Sequence, residues 1–225
     1  MDVELLDQSA LTTERPSAVG LVTTYIRQAM RDGRLVPGQR LVEPDLIAAL
    51  GVSRGTVREA LTRLQGEGLI EFERHRGARV RILTRAKVLE LNQIRAVVEG
   101  LGARLAAEHA TDADVEHLLS VQLPFGEASK DYSTYNERLH NTILEISRNE
   151  SLSSFVSATL LETFRLHFWQ TLLKHEVTLR SYSEHEAVVD AIVNRRPEEA
   201  EKRMVEHVHG SCAAIMASPD HYFAR

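Results

Sequence analysis

The sequence predicts a mainly α protein in two parts: an N-terminal winged helix-turn-helix with a small β-hairpin wing, followed by an all-α helical bundle. Three observations predict it. Residues 16–84 show helical apolar spacing three times, with a tight turn between the second and third runs, and then two short strand-like runs. From residue 85 onward each periodic segment is helical and strand-like alternation is absent. The charge is also divided. Residues 16–85 hold 12 Arg against 7 Asp and Glu, a balance of +5, whereas residues 86–225 hold 14 Lys and Arg against 21 acids, a balance of −7. All four lysines (Lys87, Lys130, Lys174, Lys202) fall in the acidic part. A basic segment without lysine, joined to a larger acidic one, predicts two separate jobs.

The bulk numbers fit this division. A length of 225 residues, 43% hydrophobic and 26% charged, describes a folded chain with room for two small domains. The net charge of −5 alone would argue against nucleic acid, but it conceals the basic segment. No stretch approaches the roughly 20 apolar residues of a membrane span. The first 15 residues are acidic and lack a basic region before an apolar core, unlike a secretory leader. With Cys212 as the only cysteine, no internal disulfide is available, and a cytoplasmic protein is expected. The expected boundaries are a flexible arm at 1–15, the DNA-binding part at 16–84, the helical part at 85–218 and a tail at 219–225.

The first helix is marked by Leu21, Val22, Tyr25, Ile26, Ala29 and Met30, and "DGRLVPGQRL" ends it. A second helix is expected from Pro44, carrying Leu46, Ile47, Ala49 and Leu50 and stopping at Gly51. Ser53 is a good N-cap for the third, whose inward stripe is Val57, Ala60, Leu61 and Leu64. "LIEFER" and "ARVRIL" then form a hairpin around "HRG", with Gly77 able to take a positive φ. The later helical segments lie near 85–109, 112–122, 131–147, 150–174, 179–194 and 197–217.

Residues 51–80 contain six arginines and no lysine. The inward stripe of the third helix places Arg54 and Arg58 together on the opposite face, near its N-terminus, with Thr56 between them. That end of a recognition helix enters the major groove of double-stranded DNA. The planar guanidinium fork bonds guanine O6 and N7 together or straddles a phosphate. Ser53, Arg54, Gly55, Thr56 and Arg58 are therefore the expected DNA contacts, with Arg76 and Gly77 at the wing tip reaching backbone or minor groove. Gly55 leaves room for close approach of the backbone. Arg63 lies off the row, and Glu59 at i−4 is its expected partner. The bland alternative is a solvated face of ordinary surface arginines.

"GRLVPGQRLVEPDLIAALGVSRGTVREALTRLQGEGLI" and "RGARV" closely resemble the winged helix-turn-helix of the GntR family of bacterial transcription regulators, over about a third of the chain. In that family an arginine can occupy the position of Pro44 and touch DNA; here Arg40 is the nearest substitute. The resemblance implies an operator-binding homodimer reading two half-sites.

In the helical part, three separate helices each aim a histidine inward. Stepping ~100° per residue from Met204, the apolar stripe of the last helix holds Ala200, Val208, Ser211 and Ile215, with His207 at its edge and His209 turned to water. His185 shares a side with Val188 and Ile192, and His140 with Ile143, Leu144 and, one turn earlier, Asn136. Such histidines are either hydrogen-bonded core residues or, if they converge with an oxygen donor, ligands for zinc or a similar divalent ion. His167 and His175 are rival candidates.

Residues 87–217 resemble the all-helical FCD effector domain found behind many GntR winged helices. The matching segments are "IRAVVEGLGARLAA", with Arg95 and Glu99 at R-x-x-x-E spacing, "NERLHNTILEISRNESL", "EHEAVVDAI" and "AEKRMVEHV". The resemblance implies a metal held by Asn136, His140, His185 and His207, with Asn136 where aspartate is common and Leu139 where phenylalanine is common. Zinc is the expected ion, nickel and manganese the alternatives. It also implies a small carboxylate effector at the metal, gripped by Arg95; the alternative for Arg95 is an i,i+4 pair with Glu99. The expected function is a ligand-responsive transcription regulator, a repressor or an activator, that senses an organic acid, and not an enzyme. Two other readings stay open: a metal-free DNA-binding regulator with structural histidines, and a zinc-dependent enzyme fused to a DNA-binding domain, with Glu184 or Glu186 as its base.

Overall fold

The computed structural model describes residues 17–124, 126, 132–155 and 174–224. The expected N-terminal arm, most of the expected helix at 150–174 and His167 lie outside the described residues.

Helix α1 (Ala18–Arg31) starts where the Ser17 hydroxyl accepts from the Gly20 amide at 3.0 Å, and it buries Val22, Thr23, Ile26, Ala29 and Met30. Strand β1 (Arg40–Leu41) precedes α2 (Glu43–Leu50), whose first turn contains Pro44. Gly51 at φ +64° stops α2 in the left-handed conformation, which glycine adopts without steric cost. Helix α3 (Arg54–Gly66) begins two residues later, and β2 (Ile70–Glu73) and β3 (Gly77–Val80) complete the wing. The sheet is antiparallel in the order β1-β3-β2, with Leu41 and Phe72 both opposite Ala78. Sequence periodicity misses β1 because two residues are too few to show alternation. It pairs because Gly38 N donates to Val80 O and Val80 N to Gln39 O, each at 2.9 Å. Val22, Ile26, Met30, Leu41, Leu46, the α3 stripe, Leu69, Ile70 and Val80 form one apolar core.

The second part is helical: α4 (Arg85–His109), α5 (Asp112–Val121), α6 (Tyr132–Ile146), α7 (described over Glu150–Phe155), α8 (His175–Val193) and α9 (Pro197–Met216). Thr84 caps α4, and Thr111 with Asp114 forms a reciprocal capping box on α5. Helix α8 begins four residues before the expected Leu179. The core joins α4, α5, α6, α8 and α9, where fully buried Leu139, Ile143 and Ile192 contribute about 1.5–3 kcal/mol each. Two glycines let the histidine-bearing helices sit close to α4. A Cβ at Gly100 would lie 2.8 Å from Val205 Cγ2 on α9, and one at Gly102 2.9 Å from Leu144 Cδ2 on α6. Among the described residues, no helix is long and apolar enough to cross a membrane.

Residues 219–224, expected as a tail, turn back onto the segment joining the two parts. Asp220–Tyr222 form a 3-10 turn, Phe223 is buried with Leu83, Val88 and Ile215, and Ala224 N donates to Leu83 O at 3.0 Å. The Arg85 guanidinium donates to Met216 O, Ser218 O and Asp220 Oδ1 and stacks 4.0 Å from the Phe223 ring centroid. A six-residue stretch held by one arginine and one aromatic ring carries no periodic signal.

Candidate nucleic-acid interface and metal centre

Ser53 Oγ accepts from Thr56 N at 3.1 Å and shares a hydrogen bond with Thr56 Oγ1 at 2.8 Å, fixing the first turn of α3. Val57, Ala60, Leu61 and Leu64 are completely buried. The rotation this imposes sends Arg54 and Arg58 outward, their side chains 76% and 68% exposed. Both lie against Glu43 of α2, at 3.5 and 3.7 Å. Gly55 is exposed, with only Ser53 Oγ near its Cβ position. Thr62 turns its hydroxyl back to Arg58 O at 2.9 Å. Arg63 pairs with Glu67 at 3.3 Å rather than with Glu59. Glu67, at the C-cap, is already drawn in by Arg27 of α1 and so presents a fixed carboxylate.

In the wing, Arg76 is 75% exposed and approaches Glu73 at 3.5 Å, while Gly77 takes φ +82° and His75 φ +65°. Arg74 is exposed, whereas Arg79 is held by Glu71 at 2.7 Å. Arg40 lies on β1 opposite Arg79, at the sheet edge and not at the start of α2.

His140 on α6, His185 on α8 and His207 on α9 converge, with 2%, 0% and 1% exposure. His185 Nε2 lies 3.2 Å from His140 Nε2 and 3.2 Å from His207 Nε2. A tetrahedral ion bound ~2.0–2.1 Å from each nitrogen holds its ligand atoms about 3.3 Å apart, so this spacing fits a zinc-like ion. The outer nitrogens settle the tautomers. His207 Nδ1 donates to Glu184 Oε2 at 3.0 Å, and His140 Nδ1 lies 2.5 Å from Glu99 Oε2. Each carboxylate keeps the proton on Nδ1, leaving an Nε2 lone pair aimed into the cluster. Each carboxylate also has its own cation: Arg95 Nε at 2.5 Å from Glu99, and Arg180 Nε at 3.3 Å from Glu184. Gly210 permits the second arrangement, because a Cβ there would lie 3.0 Å from Glu184 Oε1.

Glu99 and Glu184 are thus partners of histidines, a role their sequence positions did not reveal. The only available signal was spacing: Glu99 one helical turn beyond Arg95, and Glu184 beside His185. Asn136 stands one turn before His140, half-buried, and its Oδ1 accepts from the Tyr132 hydroxyl at 3.4 Å. That hydroxyl also contacts Ser181 Oγ, and the Tyr132 ring lies parallel to His185 with centroids 6.3 Å apart. The Tyr135 ring meets His185 edge-on with centroids 5.8 Å apart and lies 6.1 Å from Tyr132. Burial, then Tyr182 and Tyr132, pushes the Tyr135 phenol well above its usual range, so it stays a donor, to Gln122 Oε1 at 3.3 Å. Arg95 is 5% exposed and adopts the pair with Glu99. Burial pushes the Cys212 thiol up, against a smaller opposing pull from Arg95, which keeps it protonated. His175 and His209 are exposed and stand outside the cluster.

Replacing Glu184 with glutamine is expected to lower metal affinity ~10–100-fold, since Nδ1 of His207 then loses the carboxylate that orients it. Competition against a chromophoric chelator measures this; an unchanged affinity would show that Glu184 only packs.

Residues 90–210 match the model of the FCD domain, and residues 20–80 match that of bacterial regulatory proteins of the gntR family. The chain is similar to the HTH-type transcriptional regulator LutR of Bacillus subtilis, 29% identical over 80% of this chain and 92% of LutR. It is also 27% identical to the galactonate operon transcriptional repressor of Escherichia coli, over 85% of this chain and 93% of that one. A crystal structure from Rhodococcus sp. RHA1, described as a GntR transcriptional regulator, superposes with a TM-score of 0.76 at 26% identity, covering 90% of this chain and 99% of that one.

Proposed function

The chain belongs to the GntR family of bacterial transcription regulators and carries their FCD domain, and from that premise we propose that it is a repressor that senses a small organic acid at a metal held by His140, His185 and His207. The family and the relatives named above are transcriptional regulators, not enzymes. The observation that carries the sensing half is the convergence of three buried imidazoles, His185 Nε2 lying 3.2 Å from the Nε2 of each of the other two, whose tautomers are set by carboxylates.

Charge supports an anionic effector. Three imidazoles and the Asn136 amide are neutral donors, and Glu99 and Glu184 are balanced by Arg95 and Arg180. Both charges of a divalent ion would stay uncompensated in a buried site, which disfavours the occupied state until an anion arrives. A bound ion would supply a Lewis-acidic docking point for a carboxylate oxygen. Arg95 stands one turn from Glu99 on the same wall and is assigned the second grip. Asn136→Asp should accordingly bind metal more tightly and effector more weakly. Calorimetric titration of each in turn measures both, and tighter binding of both would reject the charge argument.

Homodimerisation is part of the reading. Ile94, Val97 and Leu101 form a stripe along α4 with exposures of 43%, 70% and 38%, too apolar for a solvated helix face. Two copies joined there would present two α3 helices to an operator, in the cytoplasm where the DNA is. Val97→Asp is expected to shift the protein to monomers in analytical ultracentrifugation and to weaken operator binding; an intact dimer would place the interface elsewhere.

A second reading has one specific observation behind it. A proton on His185 Nε2 could be shared between the lone pairs of His140 and His207, satisfying the cluster without metal. Elemental analysis of untagged protein separates the readings: about one ion per chain supports the sensor, and none after added zinc supports structural histidines.

A further inference from the structure

We propose that Glu43 determines the specificity of the DNA-reading head by tying Arg54 and Arg58 together and cancelling one of their two charges until cognate bases replace it. The proposal rests on the reading of α3 as the DNA-contacting helix. Three observations carry it. Among the described residues, the Glu43 carboxylate is the anion paired with both outward arginines, at 3.5 Å from Arg54 Nε and 3.7 Å from Arg58 Nε. Its Oε2, the atom facing Arg54, is buried and accepts no hydrogen bond from the described residues, while Oε1 faces Arg58, so each guanidinium engages one carboxylate oxygen by charge. It is itself mostly covered, 22% exposed, at the first residue of α2, whereas the arginines are 76% and 68% exposed. The fixed partner is therefore the acid, and the movable partners are the cations.

An acid on a DNA-facing surface is costly against phosphate, so the arrangement needs a compensating role. Non-specific affinity depends on the number of phosphates neutralised, and a shared carboxylate removes about one charge from that total. Specific affinity depends on the placement of guanidinium forks at base edges, which the same carboxylate favours by drawing both side chains to one point. Glu43 thus lowers binding to random sequence more than binding to the operator.

The test uses the full-length protein, with an operator fragment selected by the wild type from random-sequence DNA and an unrelated fragment of equal length. Glu43→Gln should bind the unrelated fragment roughly 3–10-fold more tightly, steepen the salt dependence there by about one unit of log–log slope, and reduce the operator-to-random ratio. Asp45→Asn is the control, because Asp45 is exposed in the same first turn and has no ion-pair partner among the described residues; it should leave the ratio unchanged. Unchanged slope and ratio in Glu43→Gln, or equal loss on both fragments with a lowered melting temperature, would overturn the proposal by reducing Glu43 to support for α2. If the wild type selects no sequence at all, the DNA-contact reading fails instead, and Glu43 is not the cause.

Discussion

Replacing His185 with alanine should remove metal binding and effector response together, while non-specific DNA affinity survives. His185 is the central member of the cluster, 3.2 Å from each of the other imidazoles and completely buried. Without it two histidines on different helices remain, and the loss exceeds the ~10–100-fold that removal of a supporting partner costs. In the wild type, zinc at ~100 times its dissociation constant should stabilise the fold by about 2.7 kcal/mol, read as a rise in melting temperature. The variant should show no such rise. Alanine also leaves a cavity costing about 2–5 kcal/mol, so His185→Gln, which fills most of the volume, accompanies it. A metal-dependent thermal shift and effector-driven operator release surviving in both variants would end the sensor model.

The second large effect belongs to Arg58. Its alanine variant should lose ~1–3 kcal/mol of operator binding, or roughly 5–150-fold, if the guanidinium makes a bidentate base contact. The pattern of the loss tells the two roles apart. If Arg58 reads a base, its removal relaxes preference at one operator position. If it neutralises a phosphate, its removal weakens binding to all sequences evenly and flattens the salt slope by about one. Because Arg58 shares Glu43 with Arg54, the variant also leaves Arg54 as sole partner of that acid. Full affinity with an unchanged footprint would take Arg58 out of the interface.

Much of this was legible from residues alone, and the reasons are local. Ser53 caps α3, and the stripe Val57, Ala60, Leu61, Leu64 fixes its rotation, so the outward placement of Arg54 and Arg58 follows from helical geometry. The same periodicity turned His185 and His207 inward and His209 outward, and the burial pattern agrees. What failed was short or long-range. Strand β1 is two residues long. Arg63 chose Glu67 over Glu59 because Arg27, 40 positions before Glu67 in sequence, holds that carboxylate in place. The final residues fold onto Arg85, more than 130 positions earlier.

By itself, then, the order of residues determined which side chains each helix presents: a guanidinium row at the start of α3, and one inward imidazole on each of α6, α8 and α9. Rotation about a helix axis is set by neighbours three and four positions away, and these are written in the chain. Only tertiary packing decided that the three imidazoles meet in the bundle, that Glu99 and Glu184 stand behind two of them, and that Glu43 of α2 lies between two arginines of α3. Those distances depend on how closely helices approach one another. That approach is set by packing such as Gly100 against Val205 and Gly102 against Leu144, between residues far apart along the chain.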